Sequence, residues 1–209
     1  MQKLPVYNIQ SFEFYSNAFY ANNLASHIKE HGFIERPHRH DFYLTMLFTN
    51  GTGTHEIDFE SYPVKKGAVF FLNPGQVHLW NLSDDSDGYI FFHTKEFYDI
   101  IYVNRQLQDF PFFATSQAAP YMVLEGEEME TAKDIFIRIL KRYSSPPSAY
   151  KFETLATLCD LLYLSLAAQY FTASDVPHKS PLYVKRFYEF LKLVEERFKN
   201  LKYPGQYAD

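Results

Sequence analysis

The chain has 209 residues, 46% of them apolar and 22% charged, with a net charge of −5, which suits a folded domain with a helical appendage. The acidic balance argues against nucleic-acid binding by the chain as a whole. The single cysteine, Cys159, rules out an intramolecular disulfide, and no stretch is long and apolar enough to span a bilayer. Aromatic residues are abundant, 21 Phe and 17 Tyr against one Trp, and they favour strands with a bulky core.

Residues 1–35 are mixed in character, with LASHIKEHG as a short helix that Gly32 would end as its C-cap. The N-terminus has no apolar leader-like segment, so the expected location is cytoplasmic. From Pro37 to about His93 short strands alternate with turn residues. DFYLTMLF runs into NGTG, a hairpin signal, and THEIDF alternates with His55, Ile57 and Phe59 on one face. After the SYPVKKG segment, AVFFL reads as a buried strand and NPGQ as a tight turn. VHLWNL then places His78 and Trp80 on one face, and DDSDG turns into YIFFH. Five or six strands at this spacing predict a closed or sandwiched antiparallel sheet.

The second half is helical. TKEFYDIIYV starts at Thr94 as N-cap, and a short strand YMVL follows a loop containing Pro111 and Pro120. Residues 127–143 align Met129, Ala132, Ile135, Phe136, Ile139, Leu140 and Tyr143 on one stripe, with acidic residues at the start and Lys141-Arg142 at the end. The helix of about residues 150–171 has two apolar faces, one through Leu155, Cys159, Leu162 and Leu166, the other through Leu158, Leu161 and Ala168. A helix apolar over so much of its girth is covered on two sides, and Leu155, Leu158, Cys159, Leu162 and Leu166 are the candidate dimer contacts. TASDVPHKSP reads as a linker. Val184, Phe187, Leu191, Val194, Phe198 and Leu201 then form a final apolar stripe, expected to dock on another surface or to be poorly ordered.

RPHRHDFY holds two histidines, His38 and His40, separated by one residue, and side chains two apart on a strand share a face. Gly32, His38 and His40 resemble the first motif of the cupin superfamily. GAVFFLNPGQVHLWN, with Gly67, Pro74, Gly75, His78 and Asn81, resembles the second. In metal-binding cupins a glutamate follows the His pair by three or four residues; Leu44 and Thr45 stand there in this chain. His38, His40 and His78 keep three neutral nitrogens for a vestigial divalent metal site, with His55 as a substitute ligand, but no carboxylate that hard ions prefer. The expectation is therefore no cofactor, with the imidazoles hydrogen-bonding a ligand, the barrel wall or one another.

FYANNLASHIKEHGFIERPHRHDFY, NGTGTHEIDF and FFLNPGQVHLWNLSDDSDGYIFF together resemble the N-terminal half of AraC-family transcriptional regulators, of the type common in Bacteroidetes. The resemblance extends through DFPFF and both helices. It implies an α+β protein: an antiparallel cupin-like β-barrel (jelly roll) followed by C-terminal α-helices. Residues 1–125 would be the effector-binding barrel and 126–172 the helical dimerisation hairpin. Residues 173–209 would be the linker and first helix leading into a helix-turn-helix domain that this chain stops short of, so that DNA is reached only through that missing part. The implied function is effector sensing and dimerisation in a transcriptional regulator, with a small molecule such as a sugar as ligand, a homodimer as assembly, no membrane partner and no enzymatic activity. The effector residues expected from inward alternation and polar tips are His38, His40, Tyr43, His55, His78 and Trp80. The alternative is a metal-dependent cupin enzyme, an isomerase or dioxygenase. Against it stand the missing glutamate and the helical extension ending at QYAD. No nucleophile paired with a base is visible in the sequence.

Overall fold

The computed structural model describes residues 4–13, 17–32, 36–115, 118–173, 190, 193–194 and 196–207. Strands β1 (Val6–Tyr7), β2 (Phe19–Asn23), β3 (Arg39–His40), β4 (Tyr43–Asn50), β5 (Gly53–Ile57), β6 (Glu60–Val64), β7 (Ala68–Leu72), β8 (His78–Leu82), β9 (Asp87–His93) and β10 (Tyr121–Val123) are joined by helix α1 (Leu24–Glu30) and, after β9, by α2 (Lys95–Asp99). Helices α3 (Gly126–Tyr143) and α4 (Lys151–Ala173) follow β10. An antiparallel five-stranded sheet runs β10-β7-β4-β9-β2, and an antiparallel three-stranded sheet runs β6-β5-β8. β1 and β3 form a short parallel pair. This is the α+β, cupin-like architecture expected from the sequence.

The five-stranded sheet is buried on both faces, which is why AVFFL is apolar without alternation. Phe42, Leu44, Met46, Phe48, Phe70, Leu72, Ile90 and Phe92 face the barrel interior, where they meet Ile57 and Val64 of the smaller sheet. Tyr43, Leu47, Val69, Phe71 and Phe91 face the helices, packing with Phe136 and Ile139 of α3 and Leu155, Leu162 and Tyr163 of α4. The DFPFF segment wedges into this second layer, with Phe112 stacked on Phe71 at a centroid distance of 3.9 Å.

Several sequence expectations are revised. NGTG is not a hairpin: β4 pairs with β7 and β9, whereas β5 pairs with β6 and β8, so the turn carries the chain from one sheet to the other. Gly53 has φ 143°, and a Cβ there would lie 2.1 Å from the Asn81 carbonyl oxygen, so the crossing needs glycine. Phe59 does not continue the inward face of β5. Asp58 and Phe59 both have positive φ, 48° and 75°, and form the turn of the β5–β6 hairpin, leaving Phe59 98% exposed. β6 escapes notice in the sequence because Pro63 breaks its pattern, as suits an edge strand. α1 ends at Glu30 and its C-cap is His31, whose N–H donates to the His27 carbonyl, so Gly32 is not the C-cap. α2 does begin on Thr94, whose Oγ1 accepts from the Phe97 N–H at 3.2 Å, but it stops at Asp99.

Half of the final apolar stripe falls outside the described residues, since Val184, Phe187 and Leu191 are not among them. Of its remainder, Phe198 is half exposed. No helix among the described residues is long and apolar enough to cross a membrane.

Candidate functional site

The two sheets bring four of the sequence-predicted histidines together inside the barrel. His38 and His40 come from the segment entering β4, His55 from the centre of β5 and His78 from the start of β8. His38 and His78 also exchange backbone hydrogen bonds, N to O at 3.2 and 3.0 Å, which sews the first motif to the second. The ring centroid of His78 lies 4.2 Å from His38, 5.0 Å from His40 and 5.2 Å from His55. All four residues are at most 2% exposed. Trp80, two residues along β8, stands edge-on to His55 and His78 at 5.6 and 5.7 Å.

Tyr43 does not join them. His38, His40, Phe42 and Leu44 share one parity, and Tyr43 points the other way, into the helical layer, where its hydroxyl accepts from Gln108 Nε2 at 2.9 Å. Leu44 lies on the interior wall, and Thr45 points outward to the Tyr163 hydroxyl. The two positions where a carboxylate ligand is missing are therefore one apolar and one turned away.

Hydrogen bonding sets the tautomers. His38 Nδ1–H donates to the Arg36 carbonyl at 2.8 Å and His40 Nδ1–H to the Phe42 carbonyl at 3.0 Å. A neutral His40 therefore keeps a lone pair on Nε2. His55 Nε2 and His78 Nδ1 share one proton across 3.0 Å. Of the two outer atoms of that pair, His55 Nδ1 and His78 Nε2, one donates and the other accepts. Burial holds the imidazoles neutral: the pKa of His40 is pushed down to about 3, and those of His55 and His78 fall well below the ordinary value, first through burial and then through neighbouring imidazoles.

Within this cluster, four buried atoms have no hydrogen-bond partner among the described residues: His40 Nε2, His55 Nδ1, His78 Nε2 and Trp80 Nε1. They give the interior a mixed set of donors and acceptors that closed barrels ordinarily satisfy. Among the described residues no three His, Cys, Asp or Glu side chains are arranged to hold a metal, and the nearest inner-wall position for a carboxylate is Leu44.

Two further buried histidines were not singled out by sequence reasoning. His27 of α1 is 2% exposed, its Nδ1 bonds the Tyr20 hydroxyl at 3.0 Å, and its ring lies 6.1 Å from Trp80. Its place on the Leu24–His27–Ile28 face of a short amphipathic helix was the available signal. His93 sits on the opposite face of the large sheet. Its Nδ1–H donates to the Thr94 carbonyl at 2.8 Å, so its Nε2 accepts from the Tyr163 hydroxyl, also at 2.8 Å. Thr45 donates to the same hydroxyl at 3.4 Å. This chain ties β4 and β9 to α4.

The dimer candidates divide. Leu155, Cys159, Leu162 and Leu166 are at most 1% exposed and pack inside their own chain, so they are not available to a second copy. Only Leu158 is partly open, and the outward face of α4 continues through Leu161 and Leu164, 50% and 44% exposed.

Residues 24–95 match the AraC-like ligand binding domain family. Among solved structures, the chain is similar to the AraC-like transcriptional activator CuxR, with 14% identity over 80% of this chain and 55% of that one, TM-score 0.44. It is similar to an apo ToxT variant from Vibrio cholerae, with 12% identity over 92% of this chain and 70% of that one, TM-score 0.47. A likeness to an oxalate decarboxylase variant from Bacillus subtilis covers 48% of this chain and 30% of the enzyme, at 16% identity and TM-score 0.26. The chain thus spans about half of CuxR, and at these TM-scores the likenesses carry no argument about ligand or chemistry. The comparison with curated proteins gives no match.

Proposed function

We propose, from the match of residues 24–95 to the AraC-like ligand binding domain family, that the chain is the effector-sensing and dimerisation part of a transcriptional regulator, with a small molecule binding against the barrel imidazoles. The observation that carries the reading is the set of unpartnered buried atoms on His40, His55, His78 and Trp80. Each orphaned polar atom costs about 1–3 kcal/mol, and a ligand that both donates and accepts removes that cost. Small polar molecules that carry both donors and acceptors, sugars and amino acids among them, have this property. His38 belongs to the same wall, held by its bond to Arg36. Tyr43 does not.

The interior and the helical layer share one sheet, so a shift of β4 or β9 on binding reaches α4 through Thr45, His93 and Tyr163. The mechanism is a population shift between two arrangements of barrel and helices, read out by two copies joined along α4 and by a DNA-reading domain outside this chain. No catalytic step is assigned. The alternative of a metal-dependent cupin enzyme lacks the carboxylate and the ligand geometry such a centre uses.

A thermal-shift screen of small polar molecules tests this. Binders are expected to raise the melting temperature, and His40→Phe and His78→Phe to weaken them at least tenfold, about 1.4 kcal/mol or more. Binders unaffected by both substitutions would overturn the assignment. Stoichiometric metal in the purified chain, lost together with stability on chelation, would restore the enzyme reading.

A further inference from the structure

Residues of α1 and of β8, an edge strand of the small sheet, line a groove of about 520 Å³, a size suited to a small molecule. Ala25 and Ile28 of α1 and Leu82 of β8 supply its apolar walls. Lys29 on one side and Asp84 on the other contribute one charge of each sign, and neither takes part in an ion pair among the described residues. The inner wall is Trp80, whose indole also meets His55, His78 and His27 edge-on at 5.6, 5.7 and 6.1 Å. One side chain therefore separates the groove from the imidazole cluster, and its Nε1–H is buried without an acceptor.

We propose that this groove is the docking site of the effector, and that the effector is a small zwitterion with a planar apolar body, of the aromatic amino-acid class. The assignment rests on the effector-sensing reading above and names the entry and chemical class of that ligand. A planar ring packs between the indole, Ile28 and Leu82. The carboxylate faces Lys29 and the ammonium faces Asp84; both partners are exposed, so they orient the ligand more than they tighten it. A net-charged ligand satisfies one of the two and repels the other. Occupancy displaces the indole, which gives Nε1–H an acceptor on the ligand and changes the packing of His55 and His78 behind it.

Trp80 is the only tryptophan, so indole fluorescence reports this wall alone. The probe is L-phenylalanine, which is not excited with indole. A saturable change in Trp80 emission is expected, several-fold weaker in affinity for Lys29→Ala and for Asp84→Ala, and several-fold weaker for benzylamine or benzoate in place of the zwitterion. Ala25→Phe fills the groove from an exposed helix position and should abolish the response while leaving the melting temperature unchanged. No saturable change up to the solubility limit of L-phenylalanine, a response that survives Ala25→Phe, or equal binding of the singly charged analogues would each overturn the proposal. If screened binders depend on His40 and His78 while L-phenylalanine is inert, the groove assignment falls and the effector reading stands. If the L-phenylalanine response depends on Ala25 and no binder depends on the histidines, the groove stands as a ligand site and the effector reading falls.

Discussion

His27, His40, His55, His78 and His93 are each at most 2% exposed, and burial is the first cause of the fall of all five below the ordinary imidazole value, to about 3 for His27 and His40 and about 4 for His93. The unfolded chain takes up protons on these groups near pH 6.5, before the folded chain does. Below that pH the unfolded state binds more protons, so stability falls as pH falls, by up to about 1.4 kcal/mol per pH unit for each such histidine. The melting temperature is expected to be flat above pH 7 and to drop steeply from about pH 6.5 towards pH 4, with a shallower slope in His93→Phe. A flat profile across that window would show that the imidazoles are already open to water. At this scale the sequence was informative about the cluster: the two motifs supplied His38, His40 and His78, and alternation supplied His55. Parity alone would also have separated Tyr43 from His40. His27 and His93 were not legible, because which face of α1 is covered and what lies behind β9 depend on elements distant in sequence.

α4 illustrates how an element is anchored by what its neighbours bring. Asp160 is 7% exposed, receives both contacts from Arg105 Nη1 at 2.6 and 2.5 Å, and accepts from the Tyr98 hydroxyl at 2.5 Å. Tyr98 and Arg105 lie in and after α2, so the pair fastens that connection to α4. Asp160→Ala is expected to destabilise by about 2–3 kcal/mol, less than a fully buried pair because the guanidinium keeps solvent contact. Urea unfolding measures it, and a change below about 0.5 kcal/mol, ordinary for a surface substitution, would show the pair to be replaceable by water. In the sequence Asp160 reads only as a polar interruption of LATLCDLLYL. Its partner Arg105 is 55 residues away, which no local pattern encodes. NGTG shows the same limit. A Gly-rich turn between strands is visible, but whether the strands pair or part depends on β7 and β9 competing for the edges of β4.

For the whole molecule, the outward stripe of α4 is the surface left for a second copy. Beyond Glu153 the only charged residue of the helix is Asp160, which is turned inward, so Leu158, Leu161 and Leu164 present apolar surface without charge to water. Leu161→Glu with Leu164→Glu is expected to convert a dimer to monomer in light scattering with little change in folding stability, since both sites are solvent-facing in one chain. A wild-type chain that stays monomeric at high concentration would remove the dimer from the proposal. The sequence by itself determined the class of the molecule: aromatic-rich short strands, two spaced histidine motifs and a pair of long helices, because period-2 and period-3.6 patterns report local burial directly. Tertiary structure decided which strands share a sheet, which face of α4 is free, and that the RPHRHDFY pair closes on His55, His78 and Trp80 with four polar atoms unpaired. Those are contacts between segments far apart in the chain, and satisfaction of a buried nitrogen depends on what the fold brings within about 3 Å of it.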